Sequence, residues 1–196
     1  DFNDDGYADL VVGVPNKEVL DGIVTQTNAG IVQVVYGSLI GLNATPGQHV
    51  LLDQIWHRGL GPVDPLGDDH YGQATIAGDF NGDGYDDLAV GIPGAHTASL
   101  DGAGAVQVIY GSQEGLAPTG IEEWSRDNVG PANPEIGDNF GQSLAAGDFD
   151  DNGIDDLAIG VPGANVGGDD NAGAIHIIYG RDNGLSTLRN ELLTQD

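Results

Sequence analysis

A ten-residue acidic stretch occurs three times in this chain, as Asp1-Phe2-Asn3-Asp4-Asp5-Gly6-Tyr7-Ala8-Asp9-Leu10, as Asp79-Phe80-Asn81-Gly82-Asp83-Gly84-Tyr85-Asp86-Asp87-Leu88 and as Asp148-Phe149-Asp150-Asp151-Asn152-Gly153-Ile154-Asp155-Asp156-Leu157. A second landmark follows each copy: Ala-Gly, a β-branched run and Tyr-Gly, at residues 29–37, 103–111 and 172–180. A Gly-Leu pair closes each unit, at Gly41-Leu42, Gly115-Leu116 and Gly184-Leu185. Three landmarks recurring in one order mean a supersecondary unit stacked on copies of itself, with a core shared between neighbours.

Between the landmarks the pattern is that of strands. Leu88-Ala89-Val90-Gly91-Ile92 puts Leu88, Val90 and Ile92 on one face and Ala89 and Gly91 on the other, and residues 157–161 repeat the arrangement. A face of Ala and Gly invites close approach by a second sheet. Pro15, Pro93 and Pro162 close strands where a lost N–H is tolerated. Each period therefore holds about four strands: one ending at Ala77-Gly78, one after the acidic loop, the Gly-Ala-Val run and one around Trp56 or Trp124. Residues 188–193 have helical propensity but align with the Trp124 segment and read as strand. This is the content of a propeller blade. The units are expected at about 1–66, 67–135 and 136–196, the first without its opening strand, because its copy starts at the acidic loop.

In every acidic loop, oxygen-bearing side chains fall at positions 1, 3, 5 and 9. They are Asp1, Asn3, Asp5 and Asp9, then Asp79, Asn81, Asp83 and Asp87, then Asp148, Asp150, Asn152 and Asp156. Hard oxygen donors on alternate residues of a tight loop can converge on one cation, with the position 7 carbonyl of Tyr7, Tyr85 or Ile154 as a further donor. Gly6, Gly84 and Gly153 stand at position 6, where a sharp turn needs positive φ. The donor type favours Ca²⁺ over zinc or copper, and a flexible loop favours it over Mg²⁺. An EF-hand loop starts alike but needs a bidentate Glu at position 12, where this chain has Val12, Val90 and Ile159. The competing reading is a set of Asx-turn hairpins with no metal. Asp4, Asp86 and Asp155, at even positions, read as solvated or strand-edge charges.

Charge supports the metal. With 31 Asp and Glu against 5 Lys and Arg, the formal charge is −26, which repels nucleic acid and anionic membranes and opposes folding unless cations sit among the carboxylates. The chain has no Cys, so thiolate chemistry and disulfides are excluded. No apolar stretch approaches a bilayer's thickness. With no Met and a first residue already inside a motif, residue 1 reads as something other than a translation start, in a processed chain or a fragment. His49, His57, His70 and His96 lack metalloprotease spacing, and neither a nucleophile elbow nor a phosphate loop is present.

The loops, with Tyr71-Gly72-Gln73-Ala74 and Phe140-Gly141-Gln142-Ser143 before them and Gly91-Ile92-Pro93-Gly94-Ala95 and Gly160-Val161-Pro162-Gly163-Ala164 after them, closely resemble FG-GAP repeats of the integrin α type. The Tyr-Gly-Ser…Gly-Leu run and Gly137-Asp138-Asn139-Phe140-Gly141 are similar to secreted or surface bacterial members. The resemblance implies an all-β fold, with three blades of a larger propeller of about seven. It also implies up to three structural Ca²⁺ ions in the hairpins between first and second strands, and partners docking on the opposite face. The first copy departs after Pro15, where Asn16-Lys17 replaces Gly-Ala.

Function is therefore expected on the loops opposite the metal, at about residues 16–28, 95–102 and 165–171, with 57–69 and 127–138. Trp56 and Trp124 read as blade packing, with sugar stacking the alternative. His176 replaces Gln33 and Gln107 and reads as an incidental polar position. The leading expectation is a non-enzymatic extracellular module, secreted or on a cell surface, that binds or adheres to a protein or glycan. The alternatives are a self-assembling surface or fibre component, with homo-oligomeric contacts or further blades, and the accessory propeller of an exported, phospholipase-like hydrolase.

Overall fold

The structure is a computed structural model that describes residues 1–42, 53–97, 100–130 and 133–195. His49, and parts of the loops at 95–102 and 127–138, lie outside the described residues. The strands are β1 (Leu10–Val14), a short hairpin of β2 (Val19–Asp21) and β3 (Val24–Gln26), β4 (Ile31–Val35) and β5 (Gln54–Trp56), then β6 (Thr75–Gly78), β7 (Asp87–Ile92), β8 (Ala105–Ile109) and β9 (Glu122–Trp124), then β10 (Ser143–Gly147), β11 (Asp156–Val161), β12 (Ala174–Tyr179) and β13 (Ser186–Thr194). One helical turn, α1 (Arg126–Val129), follows β9, and a 3-10 turn at Arg58–Leu60 follows β5.

Apart from the small hairpin, these strands form three antiparallel sheets ordered β1-β4-β5, β6-β7-β8-β9 and β10-β11-β12-β13. The first sheet starts at the strand after its acidic loop. Residues 188–193 lie in β13, so alignment outweighed helical propensity there.

Alternation along the strands of the middle sheet sends successive side chains into two different seams. Leu88, Val90 and Ile92 of β7, with Ala105 and Ile109 of β8, join Val32, Val34, Tyr36, Trp56 and Tyr71 in a core between the first and second sheets. The intervening Ala89, Val106 and Val108 join Phe140, Leu157, Ile159 and Val161 between the second and third. Every residue of β7 is therefore buried, a property of strands covered on both faces. The glycines in these strands have a steric reason: a Cβ on Gly91 would stand 2.1 Å from the Gly141 carbonyl of the next sheet, as one on Gly13 would from Gly72. Trp56 is buried in the first seam, and Trp124 packs against the second, so both tryptophans serve packing.

The Tyr-Gly and Gly-Leu landmarks are halves of one joint. Tyr36 Oη accepts the Leu116 N–H at 2.9 Å, and a Cβ on Gly115 would lie 2.2 Å from that oxygen. Gly184 has the same relation to Tyr110. The hydroxyl of one sheet is thus seated in the glycine notch of the next, which links consecutive repeats.

Among the described residues, both ends of the stack are uncovered. At the first sheet, Val12 is 40% and Ile55 58% exposed, beside exposed Leu10 and Val14. At the third, Ile175 is 45% and Leu193 47% exposed, beside Gly160. The first set aligns with Leu88, Val90 and Ile92, and the second belongs to the same repeat face as Ala89 and Gly91. The two ends are the two halves of an inter-sheet seam.

Candidate metal centres

The acidic loops lead into β1, β7 and β11, at the same end of these three strands. Position 1 organises the loop: Asp1 accepts the Asp5 and Gly6 N–H groups, Asp79 those of Gly82, Asp83 and Gly84, and Asp148 those of Asn152 and Gly153. These donors, the Gly153 N–H foremost, hold the Asp148 carboxyl below its ordinary range. Position 6 is left-handed throughout, with φ of 85°, 93° and 86° at Gly6, Gly84 and Gly153.

Position 9 lies under the loop. Asp9, Asp87 and Asp156 each take two backbone N–H groups, one from position 2 of the loop (Phe2, Phe80, Phe149) and one from the Tyr-Gly glycine (Gly37, Gly111, Gly180), all at 2.7–2.9 Å. Burial pushes Asp87 up to about 7; its two hydrogen bonds oppose this, and Asp83 and Asp79 add repulsion. Burial raises Asp156 as well. A divalent cation beside such a carboxylate reverses that tendency.

At positions 3 and 5 the copies diverge. In the first two loops the position 3 amide donates to the position 5 carboxylate, Asn3 to Asp5 at 3.1 Å and Asn81 to Asp83 at 3.0 Å. Asp5 and Asp83 also accept the N–H groups of Tyr7 and Tyr85, forming the Asx turns of the competing reading. The third loop exchanges the residue types. Asp148, Asp150 and Asp156 each bring a carboxylate oxygen within 4.8 Å of the others, a grouping that Asp1, Asp5 and Asp9, or Asp79, Asp83 and Asp87, do not reach. Two buried oxygens at position 3, Asn3 Oδ1 and Asp150 Oδ1, have no hydrogen-bond partner among the described residues. Oxygen donors of this hardness, two of them buried and without a hydrogen-bond partner, fit Ca²⁺.

Two even-position charges are more than solvated: Asp155 accepts the Asp79 N–H at 3.2 Å, tying the third loop to the second. Asp86 is bonded to the Asp1 amino group at 2.7 Å.

At the opposite end the connections dock on one another. The Asp68, His70 and Tyr71 N–H groups donate to Thr27, Asn28 and Ala29, and those of Gly137, Asn139 and Phe140 donate to Asp101, Gly102 and Ala103. Two expectations need correction here. The segments at 57–69 and 127–138 are not wholly available to a ligand, because they carry buried ion pairs. Arg58, 1% exposed, donates to Asp69 at 2.9 Å and forks onto Glu123 at 3.2 and 2.7 Å, and Arg126 donates to Asp138 at 2.5 Å. Nor is His176 incidental. It is fully buried, meets Phe140 edge-on, and its ring nitrogens have no hydrogen-bond partner among the described residues. The signal for the ion pairs was in the repeat: each Arg stands two residues after a Trp, and each Asp two before the aromatic-Gly pair.

The family model for the FG-GAP repeat matches residues 1–35, 71–109 and 140–178. Over 91% of its length the chain is 35% identical to phosphatidylinositol-glycan-specific phospholipase D of Mus musculus, covering 19% of that protein. Over 98% of its length it is 28% identical to integrin alpha-5 of Xenopus laevis, covering 16%. A 90-residue stretch, 45% of the chain, is 44% identical to integrin alpha-PS5 of Drosophila melanogaster, covering 8% of that protein. The chain thus spans less than a fifth of the length of these relatives.

Proposed function

The chain belongs to the FG-GAP repeat family, and from that premise we propose that it is a calcium-stabilised extracellular binding or adhesion module, without catalytic activity, that recognises a protein or glycan. The units are taken as residues 1–66, 67–135 and 136–196, three blades of a larger propeller. Up to three Ca²⁺ ions are assigned to Asp1, Asn3, Asp5, Tyr7 and Asp9, to Asp79, Asn81, Asp83, Tyr85 and Asp87, and to Asp148, Asp150, Asn152, Ile154 and Asp156, with positions 7 acting through their carbonyls. Their role is to neutralise clustered carboxylates and stiffen the hairpins.

The observation that carries the binding reading is the β2–β3 hairpin, which stands on the end opposite the metal loops. It presents Leu20, Val24 and a 99% exposed Ile23 on an otherwise acidic chain. An apolar tip held out by a paired hairpin fits a recognition loop better than a solvated one. The name phospholipase D attaches to relatives of which this chain covers under a fifth, so an accessory place beside a hydrolase is the weaker reading. Self-assembly is favoured by the two complementary uncovered sheet faces.

Two experiments test this. Thermal melts with excess chelator, then with Ca²⁺ restored to millimolar level because extracellular sites bind at about 10⁻⁴ to 10⁻³ M, should show a lowered and recovered Tm. An unmoved Tm rejects the metal assignment. Binding to protein and glycan arrays in Ca²⁺ should weaken in L20S/I23S at unchanged Tm.

A further inference from the structure

The third loop differs from the other two in what surrounds it. Its position 3 carboxylate, Asp150, meets Arg181 Nη2 at 3.2 Å and Arg189 Nη1 at 3.5 Å. Both guanidinium groups lie over the Tyr179 ring, 5.7 and 5.5 Å from its centre. Arg181, Asp182, Arg189, Asp150, Asn152 and Ile154 line one open pocket of about 440 Å³. These are two of only five basic residues in the chain, and two of the others, Arg58 and Arg126, are sealed in the seams. In the first two repeats the place of Arg181 is held by Ser38 and Ser112, whose hydroxyls bond the carbonyls of Gly41 and Gly115 and leave the loop alone. Asp at position 3 and Arg after Tyr-Gly thus occur together, in the third repeat.

We propose that Arg181 and Arg189 are affinity-setting residues that compete with Ca²⁺ for Asp150, making the third loop the weak and exchangeable site of the three. The inference rests on the calcium reading above. Each loop offers three carboxylates and one amide among its four side chains, so donor charge alone predicts equal sites. Both guanidinium groups hold Asp150 through Oδ2 and leave Oδ1 open, so a cation binding at Oδ1 enters against two positive charges that offset part of the loop's attraction for a dication. The first two loops, with amide-to-carboxylate bonds inside the loop, face no such competitor.

The test is calorimetric titration of the whole chain with Ca²⁺, with Tm followed in parallel to exclude unfolding. Wild type should show two tighter sites and one about tenfold weaker, and D148A should remove the weak class alone. R181S/R189A should tighten that class about tenfold and leave the others in place, whereas R181K/R189K, keeping the charges, should leave it weak. Salt supplies a readout that a structural role would not move: the weak class should resist added NaCl in wild type and become as salt-sensitive as the others in R181S/R189A. Three equal sites in wild type, loss of a tight class in D148A, or unchanged affinities in R181S/R189A would overturn the proposal. No calcium heat at all would instead reject the parent reading.

Discussion

The Tyr71 hydroxyl donates to Gln107 Oε1 at 3.0 Å, deep in the seam between the first and second sheets. The Gln107 amide continues the chain of bonds to the Arg58 carbonyl at 3.3 Å, and the Arg58 guanidinium is shared by Asp69 and Glu123. The second seam is a depleted copy. Arg126 and Asp138 are kept, but Phe140 replaces Tyr71, His176 replaces Gln107, and Leu192 stands opposite His176 where Glu123 stands opposite Gln107. Arg126 Nε, Asp138 Oδ1 and both His176 nitrogens are left without hydrogen-bond partners among the described residues.

Rebuilding the lost pair should stabilise the second seam. F140Y/H176Q places a hydroxyl opposite an amide, as at Tyr71 and Gln107, and should gain about 1 kcal/mol over the sum of the single changes. The reverse change, Y71F, orphans the buried Gln107 oxygen and should cost about 1–3 kcal/mol. Denaturant unfolding at saturating Ca²⁺ of that four-member cycle, with Y71F measured beside it, checks both, and additive single changes would show that the pair is not coupled.

His176 should make stability depend on pH. Burial, with the Arg126 charge in support and Asp138 opposed, holds its imidazolium pKa down to about 4, against 6.5 for the free side chain. The unfolded chain therefore binds more protons than the folded one between these values. Stability should rise with pH through that window, with up to about 3 kcal/mol of penalty complete below pH 4. Because carboxylates titrate in the same range, the measured quantity is the difference between wild type and H176Q. That difference should be flat above pH 6.5 and slope below it, and a flat difference throughout would contradict the burial argument.

Removing the fork on Arg58 should be costly. E123L reproduces the residue found at 192 and leaves Arg58 with Asp69 as its only carboxylate partner. Arg58 keeps Asp69, as Arg126 keeps Asp138 in the second seam, so E123L should cost about 1.5–3 kcal/mol, the worth of hydrogen bonds to a charged group. Adding E123L to R58M should cost less than E123L alone, because the guanidinium that Glu123 holds is already gone. Thermal unfolding of the two single variants and the double variant decides it.

The repeat period, the strand alternation and the loop positions were legible because each is local: Leu88, Val90 and Ile92 declare a face within five residues, and Gly84 declares a left-handed turn beside its own aspartates. The seams were not legible in the same way. Arg58 and Glu123 are far apart in the chain and belong with different sheets, and a single Arg in a polar connection looks like any solvated charge. His176 misled for the same reason: its environment is set by Phe140, Arg126 and Asp138, none of them in its own strand. Comparing what differs between copies recovers these contacts, since Tyr71 with Gln107 and Phe140 with His176 change together.

The two uncovered faces should make the chain associate head to tail. The face of Leu10, Val12 and Val14 aligns with the one that β7 presents to the first seam, and the face of Gly160, Ile175 and Leu193 belongs to the repeat surface that receives it. Such a contact joins two different patches, so it propagates from copy to copy instead of closing as a symmetric dimer. Sedimentation of the wild-type chain should show species growing beyond dimer as concentration rises. V12E destroys one patch and I175E the other, so each variant alone should remain monomeric. Mixed, they should form a dimer and nothing larger, because each supplies the intact patch the other lacks and their damaged faces terminate the assembly. A wild-type chain that stays monomeric at every concentration, or variants that fail to complement, would remove self-assembly as a role for these faces.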